Sequence, residues 1–233
     1  RMRENGWTFE PADGVIPDAV NQFETLHQVY TESERAYSGR VTVPVLWDKQ
    51  LKTIVNNESS EIIRMFNSEF SEVGARTEDY YPEELRPEID KLNERIYDKV
   101  NNGVYKAGFA TRQIPYEEAC DALFETLDWL EALLSERRYV AGDVMTEADI
   151  RLFTTLLRFD LVYYGHFKTN KKHIYDYENL WAFTRELYQL AEVKSTTNFE
   201  HIKRHYYESQ ITINPSGVYP KGPIIDFESA HTR

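Results

Sequence analysis

The sequence predicts a small α/β unit followed by a larger all-α unit, and two observations carry this reading. From Arg40 to Ile63 a strand, a turn, a second strand and the start of a helix follow one another. From Glu83 onward strand signals nearly vanish, and apolar residues recur every three or four positions. Between these stretches, residues 73–82 hold Gly74, two adjacent tyrosines and Pro82, a composition suited to a linker. The expected organisation is therefore a mixed domain over 1–72, a linker over 73–82 and a helical domain over 83–233. A chain of 233 residues with 41% hydrophobic content can bury two such cores.

Composition narrows the function classes. A formal charge of -12, with no basic stripe interleaved with aromatics, argues against a nucleic-acid partner. No apolar run of about 18 residues and no signal-peptide pattern occurs, so no membrane partner is expected and the protein reads as cytoplasmic. One cysteine, Cys120, excludes an internal disulfide framework and argues against a cysteine-based metal site. The chain begins at Arg1 without an initiator methionine, as a piece of something longer would.

Taken in order, Asn5-Gly6 reads as a turn and Trp7 beside it as a packing anchor. Ala19 to Tyr30 has helical spacing at Val20, Phe23, Leu26, His27 and Tyr30, which puts His27 on the buried stripe as a structural histidine. Pro44 lies inside the apolar run Val41 to Leu46 and cannot donate to a ladder. It reads either as an edge-strand proline or as a cis X-Pro bond whose bend exposes the backbone of Val43 to a peptide-like ligand. A second strand, Lys52 to Val55, leads through Asn56–Ser60 into a helix. The free N–H groups at such a helix start suit the amino-acid head of a ligand at Glu58-Ser59.

In the helical part, Leu85, Ile89, Leu92, Ile96, Val100 and Val104 draw one stripe along a long helix. Tyr105, between Gly103 and Gly108, reads either as a packed ring with a wet hydroxyl or as a residue that a ligand can approach closely. The helix from Pro115 to Ser135 sets Cys120 in the middle of an apolar stripe, as a core filler with a raised pKa rather than a nucleophile. Thr146 and Asp149 form a reciprocal N-cap, with Met145 and Ile150 as its hydrophobic staple, ahead of a helix through the middle of the domain. Tyr163, Tyr164, His166 and Phe167 cluster in the loop that follows, with Lys168, Lys171 and Lys172 as a solvated patch. Further helices are marked by Leu180, Phe183, Leu187 and Leu190, and by Phe199, Ile202 and Tyr206. The Pro- and Gly-bearing tail from Asn214 is suited to wrapping as a tied-down extension.

Several stretches resemble the glutathionyl-hydroquinone reductases, the Xi class of the glutathione transferases. They are Asn5 to Phe9, Ser38 to Asn67, Asn101 to Thr111, Thr146 to Leu152, and His201 to Tyr206 with Asn214-Pro215. The most specific are Ser38 to Lys49 and Asn101 to Thr111, and the similarity spans essentially the whole chain. The resemblance implies a glutathione transferase fold: a thioredoxin-like domain, whose first strand, helix and strand precede Arg1, followed by the helical domain. In the family those first elements carry a Cys-Pro-Trp motif with the nucleophilic cysteine. No such motif occurs in this sequence, and Cys120 does not match it, so the nucleophile is expected upstream of Arg1.

By resemblance, glutathione is the cofactor. Trp7 contacts it, Arg40 pairs with its glycine carboxylate, Val43 before Pro44 bonds its cysteinyl backbone, and Glu58 and Ser59 hold the γ-glutamyl end. Tyr105 and Tyr206 face the quinol and act as donors to the leaving group, Tyr163 and His166 line the same opening, and no metal is involved. The implied enzyme reduces glutathionyl-hydroquinones to hydroquinones through a protein-glutathione mixed disulfide, and is a homodimer. The rival reading from the missing cysteine is a non-catalytic glutathione-fold binding or interaction subunit.

Overall fold

In a computed structural model of the chain, the structure describes residues 2–3, 6–12 and 14–233. They fall into two compact units, Arg1–Asp79 and Tyr80–Arg233. Asn5, half of the expected Asn-Gly turn, lies outside the described residues; Gly6 stands at φ 83°, a conformation open to glycine at little cost.

In the first unit, β1 (Met2–Arg3) pairs antiparallel with β2 (Gly6–Trp7). Helix α1 covers Leu26–Ser33 and starts later than the apolar spacing suggested. The Asp18 carboxylate accepts the N–H groups of Val20, Asn21 and Phe23, closing a turn that competes with helix, and Gln22 stands at φ 59°. Helix begins only where Thr25 and Gln28 form a capping box. Val20 is therefore 47% exposed and His27 faces solvent near the Thr25 hydroxyl, so His27 is not the core histidine expected.

Strands β3 (Leu46–Asp48) and β4 (Thr53–Asn56) form an antiparallel hairpin whose turn is closed by Asp48 accepting from Gln50 and Leu51. The expected strand over Val41–Leu46 is reduced to its last residue, because the ladder begins only beyond the proline that cannot donate to it. The Val43–Pro44 bond is cis. Helix α2 (Ser59–Ser68) follows with Glu58 as its N-cap.

The regular elements of the second unit are helices. Helix α3 (Arg86–Ile96) passes through a π turn at Tyr97–Asn101 into α4 (Gly103–Gly108). The sequence explains the π turn. Leu92, Ile96, Val100 and Val104 are spaced by four, and each such step overshoots a 3.6-residue turn by roughly 40°. A wider turn, in which Asn102 N–H reaches the carbonyl of Tyr97, absorbs the drift and keeps all four buried. They meet Leu123, Leu127 and Leu130 of α5 (Gln113–Glu136) and Leu152 and Leu156 of α6 (Glu147–Arg158). Cys120 is buried on α5, and burial raises its thiol pKa.

A second π turn, Phe159–Tyr163, carries α6 into the single turn α7 (Tyr164–His166), so the aromatic cluster expected in a loop is helical instead. Helices α8 (Glu178–Tyr188), α9 (Ala191–Thr196) and α10 (Phe199–Ser209) complete the unit. The tail has no regular element and is tied down. Phe227 packs among Trp181, Tyr188 and Phe199, and Arg233 pairs with the buried carboxylate of Glu186 at 3.1 Å. Lys171 pairs with Asp121 and Lys172 lies over the Tyr177 ring, so these two are partnered rather than merely solvated.

The Thr146–Asp149 cap is completely buried. Asp149 accepts from Thr146 N–H, the Thr146 hydroxyl and Val140 N–H at 2.8 to 2.9 Å. Ile150, the expected staple residue, is exposed at the helix surface. At Gly108, an added Cβ would sit 2.3 Å from ring atoms of the buried Phe167, so only glycine lets α4 and that ring meet.

Replacing Asp149 by Ala orphans two buried N–H groups, so the expected loss is about 3 kcal/mol, against about 1 for an exposed cap. Denaturant melts check this, and an unchanged midpoint with lowered activity would show that the residue is not structural. Burial pushes the Asp149 carboxyl up from 3.8 to about 6 against the pull of its donors. Its native state therefore holds a proton more tightly than the unfolded chain. The stability this contributes is complete below the ordinary carboxylate range and is lost as pH rises through about 6. The gap in thermal midpoint between wild type and Asp149→Asn should accordingly narrow from pH 4 to pH 7. Gly108→Ala should destabilise by about 1–3 kcal/mol through overpacking and shift the near-ultraviolet signal of the rings around Phe167.

Candidate functional site

Within the first unit, one buried phenol organises the residues expected to bind a peptide-like ligand. Tyr30, on the inner face of α1, donates its hydroxyl to the carbonyl of Thr42 at 2.8 Å. It accepts from Thr42 N–H at 3.2 Å and from Asn57 Nδ2 at 3.1 Å. Asn57 Nδ2 also reaches the Thr42 hydroxyl at 3.3 Å. The loop before β3 and the loop before α2 are thus fastened to the same oxygen. Val43 and Glu58 are the next residues of these two fastened loops. The other end of the first loop is held by Tyr37, whose hydroxyl donates to the carbonyl of Arg40 at 2.6 Å.

What this scaffold presents is unpaired backbone and charge. Val43 is 51% exposed, and neither its N–H nor its carbonyl is bonded to another described residue. Glu58 caps α2 with one carboxylate oxygen, accepting from Ser60 N–H and the Ser60 hydroxyl, and its other oxygen has no partner among the described residues. Ser59, the first residue of α2, offers an exposed N–H at the positive end of the helix. The Arg40 guanidinium is exposed and forms no ion pair with a described residue. Trp7 is half-buried against Leu26, Val29 and Tyr30, in the same apolar cluster as Val41 and Val45. This set can hold a small zwitterionic peptide: donors and an acceptor for its backbone, a carboxylate for an amine and a guanidinium for a carboxylate.

In the second unit, Tyr105 of α4, Tyr163 at the end of the second π turn and Tyr206 of α10 converge on their hydroxyls. The Tyr206 oxygen lies 2.6 Å from that of Tyr105 and 2.7 Å from that of Tyr163. Phe167 packs against all three rings at 5.2 to 5.9 Å, and exposed Phe109 stacks on Tyr105. Only Tyr105 is part exposed; Tyr163 and Tyr206 are 3% and 5% exposed. Burial raises the pKa of both inner hydroxyls, so they stay protonated at neutral pH. His166 is turned elsewhere: its Nε2 meets Gln210 Oε1 at 2.8 Å, its ring lies on Tyr207, and burial lowers its pKa toward the neutral form.

Sequence reasoning missed the roles of Tyr30 and Asn57, which position the first set; it singled out Phe167 as part of an aromatic cluster and Gly108 as a point of close approach, but not that the two meet and shape the second. Tyr30 carried a signal only as an apolar stripe position; its bonds to Thr42 and Asn57 join residues 12 and 27 positions away. Among the described residues no group of His, Cys, Asp and Glu could hold a metal ion, and no helix is long and apolar enough to cross a membrane.

Comparison with known proteins matches the chain to a family. Residues 113–186 match the model of the glutathione S-transferase C-terminal domain. The glutathionyl-hydroquinone reductase PcpF of Sphingobium chlorophenolicum is 56% identical over 222 residues, 95% of this chain and 71% of the relative. The glutathionyl-hydroquinone reductase YqjG of Escherichia coli K-12 is 54% identical over 233 residues, 100% of this chain and 71% of its own length. Its glutathione-bound structure aligns with a TM-score of 0.97 over 99% of this chain and 76% of the solved chain. Glutathione transferase Xi 1 of Trametes versicolor aligns with a TM-score of 0.93 at 51% identity, over 96% of this chain and 80% of the solved one. The chain belongs to the glutathionyl-hydroquinone reductases, the Xi class of glutathione transferases.

Proposed function

We propose that this chain binds glutathione in its first unit and a phenolic ring in its second, and that it serves the glutathione-dependent reduction of glutathionyl-hydroquinones. The observation that carries the reading is the fastening of Thr42 and Asn57 to Tyr30, in loops that continue into a peptide edge at Val43 and a helix start at Ser59 whose N–H groups have no partner among the described residues. The names of the PcpF and YqjG relatives, and the glutathione in the YqjG structure, agree with it.

In this reading Arg40 pairs with the glycine carboxylate, Val43 bonds the cysteinyl backbone, Glu58 takes the γ-glutamyl amine and Ser59 N–H its carboxylate, with Trp7 alongside. A thiolate from a cysteine upstream of Arg1 attacks the glutathionyl sulfur, and the relatives' greater length leaves room for that segment. The carbon–sulfur bond breaks with its electron pair passing to the ring. Where the sulfur-bearing carbon lies next to the carbonyl of the keto tautomer, that pair arrives on the ring oxygen. The hydroquinone then leaves as a phenolate and takes a proton. Tyr105 donates to that oxygen as charge develops, with Tyr206 behind it. The mixed disulfide is released by a second glutathione as glutathione disulfide. Homodimerisation, implied by the family resemblance, belongs to the same reading and is measured by light scattering.

The decisive experiment is turnover of a glutathionyl-hydroquinone by the full-length gene product; failure to turn over any such substrate would sink the reading. Tyr105→Phe should lower kcat by about 100-fold while changing glutathione affinity little. Equal losses in both would point instead to a packing defect. Arg40→Ala should weaken glutathione binding about tenfold, as expected for one charge-assisted contact, with kcat at saturation moving less.

A further inference from the structure

We infer that Tyr163, Tyr206 and Tyr105 form a hydroxyl relay of fixed outward polarity, so that Tyr105 presents a donor to the ligand and the site favours a phenolate or carbonyl oxygen over a neutral phenol. This rests on the reading that Tyr105 meets a phenolic ligand, and it assigns Tyr163 as a positioning residue that acts through Tyr206.

The polarity follows from proton counting. Each phenol has one proton to donate. The Tyr206 oxygen stands within hydrogen-bond distance of both neighbours, so it donates to one and accepts from the other. If the relay ran inward, Tyr206 would donate to Tyr163, and the proton of Tyr163 would need another acceptor. Tyr163 is 3% exposed and its hydroxyl has no described partner except Tyr206. A buried donor left unmade loses its full solvation, which the fold avoids wherever another arrangement exists. Run outward, Tyr163 donates to Tyr206 and Tyr206 to Tyr105. The one proton left over then belongs to the half-buried Tyr105, where solvent or a ligand accepts it.

Two consequences set the ligand preference. A hydroxyl that already accepts a bond is a stronger donor, so the two inner tyrosines sharpen the outer one. An ionised acceptor gains about twice what a neutral one gains from the same donor. Other charged or titratable groups among the described residues also lie near the relay. Arg158 of α6 faces Tyr163 and Tyr206, the ring of His205 lies 4.9 Å from that of Tyr206, and the His166 ring lies 5.3 Å from that of Phe167. The Arg158 charge also favours an anion, but it remains in place when a tyrosine hydroxyl is removed.

The test is a pH titration of 4-nitrophenol, whose anion absorbs in the visible, bound to the whole chain and to its variants. Wild type should bind the phenolate about tenfold more tightly than the phenol, read as a fall of about one unit in the probe's apparent pKa. Tyr206→Phe should reduce that preference to about threefold or less, because Tyr105 then accepts no hydrogen bond, and Tyr105→Phe should abolish it. Tyr163→Phe leaves the buried Tyr206 hydroxyl only Tyr105 to donate to, so the polarity holds and the preference should fall by less than in Tyr206→Phe, through the lost cooperative bond alone; it keeps the test open where Tyr206→Phe fails to fold. Equal affinity for both probe forms, or a preference unchanged in the Tyr163→Phe and Tyr206→Phe proteins, overturns the relay and leaves the phenolic-ligand reading standing. Failure of wild type to bind either form overturns both.

Discussion

The helical unit depends on one buried carboxylate. Asp149 gathers the N–H of Val140, from the end of the segment after α5, and both donors of Thr146, at the start of α6. The adjacent residue extends the junction: Glu147 N–H donates to the carbonyl of Tyr80, and its side chain accepts from Asn93 of α3 at 2.7 Å. The entry to the unit, α3, the α5 exit and the α6 start therefore meet within four residues. Val140, Thr146, Glu147, Asp149 and Asn93 are buried, and the bonds among them fix where α6 starts against α3 and the α5 exit. Everything downstream, including the π turn that ends in Tyr163, takes its direction from there.

The two π turns turn that direction into site geometry. The first is tied sideways to α6, where Asn101 donates to the Thr155 hydroxyl and the Arg151 carbonyl. It resets the phase of the helix so that Val104 stays in the core while Tyr105, the next residue, reaches out of it. The second delivers Tyr163 from the end of α6 to the hydroxyl of Tyr206 on α10. Phe167 fills the space among the rings, and the missing Cβ of Gly108 is what gives it room. The convergence of three phenols from distant segments is therefore a product of helix phase as much as of the tyrosines themselves.

This accounts for what was legible in the sequence. The stripe from Ile89 to Val104, the burial of Cys120 and the Thr146 cap are local patterns, and local patterns are written in spacing. Helix α1 was misplaced where two local signals conflicted: the apolar spacing from Val20 favoured helix, and the Asp18 side chain captured the same N–H groups first. The strand expected at Val41 failed because strand propensity says nothing about whether a partner exists to pair with it. The roles of Arg40, Glu58, Tyr105 and Tyr206 came from family resemblance and from local chemistry that agreed with it. Tyr30, Asn57 and the burial of Tyr163 were not legible at all, because each is defined by a partner 12 to 43 residues away.

The two proposed sets of site residues solve the same physical problem by opposite means. A binding site must keep polar groups unsatisfied toward the ligand without leaving them unsatisfied in the interior. In the first unit this is done at the surface. Val43 and Ser59 are exposed, water satisfies their backbone groups when no ligand is present, and one buried phenol holds the loops still. In the second unit the polar groups sit among packed rings, where water cannot serve them. There the hydroxyls satisfy one another in series, and a single proton remains at the exposed end. A backbone amide needs no such arrangement, because its donor direction is fixed by the chain; a phenol rotates about its C–O bond and has to be told which way to point. Burying Tyr163, and giving its proton only one place to go, is what supplies that instruction.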